Sequence, residues 1–142
     1  MPKSPKDIVR RLLTESWDDP ALPAELLAPQ ITCHVATYPE PLEGLERYSA
    51  FQAAYRSVVG DVHFKVDDLL MEGDRVAARW TGWLDEGEAP SEDRSGKGPV
   101  AVMGISIFRF EGDRIVEAWE SWDSLSLLAN HPDVLDKLSL TL

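Results

Sequence analysis

A chain of 142 residues that is 44% hydrophobic and 27% charged has the size and make-up of one folded domain with a genuine core, which excludes intrinsic disorder. With 14 Lys+Arg against 25 Asp+Glu the net charge is -11, and no basic run exceeds Arg10-Arg11, so nucleic acid and anionic membrane surfaces would be repelled. The single cysteine, Cys33, excludes an intramolecular disulfide and Cys-rich metal sites, and His34, His63 and His131 show no metal-ligand spacing. No apolar run approaches the ~20 residues of a membrane span. The N-terminus lacks the apolar core of a secretory signal, so a cytoplasmic location is expected.

In chain order, Ile8, Val9, Leu12, Leu13 and Trp17 recur at helical spacing from Pro5 to Trp17, with Ser4 suited to the N-cap and Pro5 to the first helical position. A short helical piece follows from Pro23 to Ala28. Ile31 to Tyr38, rich in Thr, Val and Tyr, predicts a strand, which the Pro39–Gly44 loop ends. Tyr48, Phe51, Gln52, Tyr55, Val58 and Val59 predict a second long helix from Leu45 to Val59, closed by Gly60.

Beyond Gly60 the period changes to two. Met-Glu-Gly-Asp-Arg-Val (71–76) is echoed by Phe-Glu-Gly-Asp-Arg-Ile (110–115), each Gly-Asp pair lying between extended apolar segments, as in a tight β-hairpin. Strands are expected up to and beyond each turn, with Val100–Phe110 and Arg114–Trp122 the last two. Between the hairpins, residues 84–99 are acidic, Gly/Pro-rich and aperiodic, an exposed loop that is either a lid or a plain excursion. Short apolar helical runs at 125–129 and 134–142 close the chain.

Helices gathered at one end and antiparallel strands at the other make an α+β fold of one domain, residues 1–142. The strand Val100–Phe110 is apolar on both parities, so both faces of the sheet need cover, and a homodimer through its outer face is expected.

Two stretches are more specific: Glu72–Thr81 (EGDRVAARWT) and Gly104–Asp123 (GISIFRFEGDRIVEAWESWD), followed by Leu127-Leu128. With the order of elements, they make the chain resemble the SnoaL-like branch of the NTF2-like superfamily over nearly its whole length. The resemblance implies a conical, strongly bent sheet wrapped around N-terminal helices, with an internal apolar pocket. It also implies chemistry without metal or organic cofactor, by carboxylates and imidazoles, as in polyketide cyclases and ketosteroid isomerases.

On Ile115–Asp123 one parity is Val116, Ala118, Glu120 and Trp122, apolar except for one carboxylate. If that parity faces inward, desolvation raises the Glu120 pKa and suits it to general acid/base work. If it faces outward, Glu120 is a solvated partner of Arg79 or Arg109. The resemblance places a cyclase's catalytic aspartate at Glu120, and the histidine that often accompanies it at Ser106. His34 is the candidate acid/base partner of Glu120, or else a hydrogen-bonded rim residue. Asp123 is either a third catalytic group or a cap for the helix that follows. Limonene-epoxide hydrolases use Arg-x-Asp where this chain has Arg79-Trp80-Thr81, which disfavours that reaction. Ketosteroid isomerase chemistry would want a base near the end of the first strand, where Glu40 stands, with Tyr38 as oxyanion donor.

Five tryptophans, at 17, 80, 83, 119 and 122, exceed what core filling usually takes. With Tyr38, Phe51 and Tyr55 they suit a pocket for a small hydrophobic, polycyclic or terpenoid carbonyl compound, Trp17 and Trp119 being the ones that fit helix or dimer packing instead. Arg79, Ser106, Trp80 and Trp122 complete the expected binding set. Cys33 reads as a small buried hydrophobe. Cofactor-free acid/base catalysis and a non-catalytic binding or interaction module both fit these residues.

Overall fold

Ser4 Oγ accepts from the Asp7 N–H at 3.2 Å while the Asp7 carboxylate accepts from the Ser4 N–H at 3.4 Å. This reciprocal cap starts the first helix, α1 (Pro5–Glu15), with Pro5 in its first turn. The computed structural model describes residues 4–84 and 101–123. The expected loop at 84–99, apart from Leu84, and the helical runs after Asp123 lie outside the described residues.

After α1 come α2 (Leu22–Leu26), β1 (Leu27–Val35), β2 (Leu42–Glu43), α3 (Leu45–Val59), β3 (Val62–Glu72), β4 (Arg75–Leu84), β5 (Ala101–Glu111) and β6 (Arg114–Trp122). The first strand begins four residues earlier than its composition suggests. Leu27 is paired to Ile115, and that long-range pairing carries the strand back over Pro29 and Gln30. The Pro-rich loop also holds two residues of strand: Thr32 and Cys33 of β1 pair with Glu43 and Leu42.

All six strands form one curled, unclosed sheet in the order β2-β1-β6-β5-β4-β3. Every neighbouring pair is antiparallel except β1 and β6, which run parallel. At both echoed motifs the hairpin turns on its glycine: Gly73 and Gly112 take φ of 58° and 62°, which a side chain would resist. No non-glycine residue among those described has positive φ, so each aspartate takes the ordinary second turn position.

The sheet's inner face carries the even-numbered residues of β5, Ala118, Glu120 and Trp122 of β6, and Ile31, Cys33 and Val35 of β1, while the register shift beside Phe110 brings Ile115 into the core as well. Ile31 and Cys33, with Phe108 and Ala118, are fully buried there against Val9, Leu12 and Leu22 of the helices. The outer face of β5 presents Met103, Ile105 and Ile107 to solvent in this single chain.

Candidate active site

The cavity lies between the inner face of the sheet and the two long helices, with a volume of about 150 Å³. Leu12, Leu13 and Trp17 close it from the α1 side. From α3 come Tyr48, Phe51 and Tyr55, which share one helical face at spacings of three and four. Phe64, Trp80 and Trp122 project from the sheet. Among the described lining residues Glu120 is the only charged one.

Glu120 enters the cavity because β6 pleats Val116, Ala118, Glu120 and Trp122 to one side, and the first two of these are buried in the core. Its carboxylate is enclosed by protein, and the surface left to the residue opens into the cavity. Burial pushes the Glu120 carboxyl above its ordinary value, opposed by the Cys33 thiol, whose Sγ lies 3.6 Å from Oε2 and donates to it. Cys33 is itself pushed far up by burial, with the neighbouring Glu120 charge adding, so it stays a neutral S–H donor. Tyr48 is raised well above its ordinary value by burial and then by the Glu120 charge, which keeps a neutral phenol in the cavity wall. Tyr55 is raised by burial, against a hydrogen bond with Thr37.

Several expected residues meet here. Phe51, Tyr55, Trp80 and Trp122 all line the cavity, with Tyr55 edge-on to Trp122 at 5.6 Å and tilted against Phe51 at 4.9 Å. Ser106 stands directly across from Glu120 on β5, but it is fully buried and accepts a hydrogen bond from Trp80 Nε1 at 3.0 Å. It holds the wall and does not line the cavity. Tyr38 packs edge-on against Phe51 at 5.6 Å, behind the lining.

Three expectations are corrected. His34 does not partner Glu120. In the parallel register Val35 lies beside Glu120 and His34 beside Trp119, so the pleat sends His34 to the outer face. There Nε2 is 2.8 Å from Glu117 Oε2, and the ring stacks on Trp119 at 5.4 Å. Arg79 also lies on the outer face, donating from Nε to Asp68 Oδ2 at 2.6 Å. Asp123 is exposed at the end of β6, where its N–H donates to the Met103 carbonyl at 2.9 Å, and it is not a lining residue. The expectation that an ion pair with Arg79 or Arg109 engages Glu120 is likewise not met. Arg109 donates from Nε to Glu117 Oε1 at 3.1 Å, and this bond together with His34 holds the Glu117 carboxyl below its ordinary value.

Trp17, read as a packing residue, lines the cavity and is fixed by its Nε1 donating to the Gly60 carbonyl at 3.0 Å. Tyr48 and Cys33 were legible as apolar positions but not as companions of Glu120. Their sequence signals were the α3 face shared with Phe51 and Tyr55, and the alternation with Ile31 and Val35. Among the described residues no three His, Cys, Asp or Glu side chains converge as metal ligands, and no helix is long and apolar enough to cross a membrane.

The sequence profile of SnoaL-like polyketide cyclases matches residues 7–131. The chain belongs to this family. Solved structures of the same fold surround it. IdmH of Streptomyces antibioticus is 23% identical, with a TM-score of 0.70 over 89% of this chain and 97% of that one. A protein from Jannaschia sp. CCS1 assigned as a SnoaL-like polyketide cyclase is 23% identical, with a TM-score of 0.70 over 91% and 95%. A protein of ketosteroid isomerase-like fold from Catenulispora acidiphila DSM 44928, crystallised with trimethylamine, is 22% identical, with a TM-score of 0.70 over 87% and 90%. At such identities these structures show the fold alone. A comparison with curated proteins finds no match.

Proposed function

We propose that this SnoaL-like protein binds a small apolar carbonyl compound in its cavity and moves a proton on it with Glu120. The observation that carries the reading is the placement of that carboxyl, a single charged side chain among the described residues of an aromatic cavity, raised by burial above its ordinary value, the direction that makes a carboxylate a stronger base. In the step proposed, the Glu120 carboxylate removes a proton from the carbon next to the carbonyl. The C–H electron pair moves to the oxygen as an enolate, and the neutral Tyr48 phenol donates a hydrogen bond to that oxygen. Where the compound carries a β,γ double bond, returning the proton from Glu120 to the γ-carbon of the resulting dienolate completes an isomerisation. Attack of the enolate carbon on a second carbonyl forms the ring bond and leaves an alkoxide, which takes the proton back from Glu120. Neither route calls on a metal or an organic cofactor.

The test needs no knowledge of the natural substrate. Exchange of the α-protons of cyclohexanone in D2O is followed by NMR with the wild type and with Glu120→Gln. Acceleration by the wild type, lost in a variant that still binds the ketone, supports the reading. Equal exchange with both proteins, or none with either, sinks it. The second reading, a binding module without catalysis, is favoured by one fact: among the described lining residues no imidazole or amine accompanies Glu120. It predicts ketone binding with no exchange.

We further propose that a second copy covers the outer face of the sheet. Ile105 and Met103 are 55% and 45% exposed on β5, Leu70 is 68% exposed on β3, and ion pairs such as Arg79–Asp68 and Arg109–Glu117 lie on the same face. Sedimentation of the wild type at twice the chain mass, reduced to the chain mass by Ile105→Glu, is the expected result. A wild type that sediments as a single chain at all concentrations refutes it.

A further inference from the structure

Glu120 carries its carboxyl on a long side chain whose last torsion is broad, so nothing in the residue itself fixes which oxygen faces a ligand. One described hydrogen bond does: the Cys33 thiol donates to Oε2 at 3.6 Å. No described residue donates to Oε1, and the surface that Glu120 retains opens into the cavity it lines. The thiol is itself held in place. Cys33 is fully buried on β1, and the parallel register sets it beside Ala118, two positions before the Val35 that pairs with Glu120. A side chain with a single heavy-atom torsion on a paired, buried strand is a fixed post against which the longer one can lean.

The other described groups around Glu120 give it no second guide. From α3 comes Tyr48, a neutral phenol with no described bond to the carboxylate, and from α1 come Leu12, Leu13 and Ser16, none of them ionisable. On β5 Ser106 stands opposite, its hydroxyl accepting from Trp80 of β4. We propose that Cys33 is the positioning residue of this site: its S–H holds Oε2, so that Oε1 is the oxygen presented to the α-carbon of the ligand. The inference rests on the reading of Glu120 as the group that moves the proton, and adds how that group is aimed. A thiol suits the role because it is a weak donor. Any donor to a carboxylate stabilises the charged form and takes basicity from it. An S–H aims the carboxylate while taking little.

Exchange of the α-protons of cyclohexanone in D2O, followed across pH and taken per ketone-binding site, tests this. Two variants lose the donor, Cys33→Ala and Cys33→Val, the second keeping most of the side-chain volume in case the first does not fold. Without the thiol Glu120 is a stronger base, so basicity alone predicts a plateau rate equal to or above that of the wild type. Positioning predicts a different pairing. The acid limb of the profile moves to higher pH while the plateau falls at least about tenfold, since a misplacement of about 1 Å is enough for such a loss. Cys33→Ser, which returns a donor, should recover part of the plateau and bring the limb back down. A plateau that does not fall overturns the positioning role. So does a fall with the limb unmoved, which marks a packing defect, or a serine variant no better than alanine. In each of these cases the reading of Glu120 stands as long as Glu120→Gln abolishes the exchange. A wild type no faster than Glu120→Gln removes that reading and the positioning role together.

Discussion

Replacing Glu120 by glutamine should make the protein more stable, and only above a definite pH. In the folded chain burial raises the Glu120 carboxyl above the ordinary value of 4.5. Between that value and the raised one, the native state holds a proton that the unfolded chain has released. Stability then falls as pH rises through this window and levels off beyond it. The contribution is fully present below the ordinary value and lost as pH rises through the raised one. Each tenfold displacement of the proton equilibrium is worth about 1.4 kcal/mol. With urea m-values of about 1–3 kcal/mol/M, every such step moves the unfolding midpoint by roughly 0.5–1.4 M. Glutamine has nearly the same shape and can still accept from Cys33, but it cannot ionise. Urea unfolding of both proteins at pH 4 and pH 8 isolates the effect, since every other titrating group is common to the two. The variant should be close to the wild type at pH 4 and gain stability relative to it at pH 8. A variant less stable than the wild type at pH 8, or a difference equal at both values, would refute the account of Glu120 as a desolvated acid.

Four further outcomes follow from the contacts described. Phe108→Ala empties a fully buried position in the middle of the sheet and should cost about 3–5 kcal/mol in chemical denaturation. Ser106→Ala strands the Trp80 N–H and should cost about 1–3 kcal/mol, with a change in near-ultraviolet circular dichroism as the indole loosens. Cys33→Ala removes the donor that holds Glu120 down, so the Glu120 side-chain carbon should titrate higher by NMR than in the wild type. His34→Ala should let the Glu117 carboxyl titrate closer to its ordinary value. The stability this pair supplies is present above the ordinary carboxyl value and disappears as pH falls through the lowered one. Because both side chains are partly exposed, that loss should stay below about 1 kcal/mol.

The sequence made the fold readable where local chemistry decides it. Ser4 with Pro5, the two Gly-Asp turns, and the helical face running through Tyr48, Phe51 and Tyr55 each dictate a local structure that nothing distant overrides. The alternation on β6 likewise singled out Glu120 as a lone carboxylate among Val116, Ala118 and Trp122, but not the face that this parity takes, which only packing against the helices decides. The β1–β6 partnership was not readable. It decides that Cys33 and Val35 look inward with Glu120 while His34 looks outward, and a short strand broken by Pro29 gives no register. Arg79 failed for a related reason, since β4 alternates small and aromatic residues inward and the arginine takes the parity that meets Asp68. Which tryptophans meet the cavity was also beyond composition. Trp17, Trp80, Trp83 and Trp122 line it, while Trp119 stacks on His34 at the outer face.

The parallel pairing of β1 with β6 also bears on how the protein reaches its working form. Cys33 and Glu120 are 87 positions apart, while the two hairpins join strands that are neighbours in the chain. Closing so long a loop carries an entropic penalty that contacts reward only once β6 has docked, so hairpins form early and this seam late. Until it closes, Glu120 remains hydrated and as acidic as any free glutamate. The unusual acidity of the carboxyl is thus a property of the last stage of folding, and refolding followed through the Glu120 proton would report the arrival of the finished cavity.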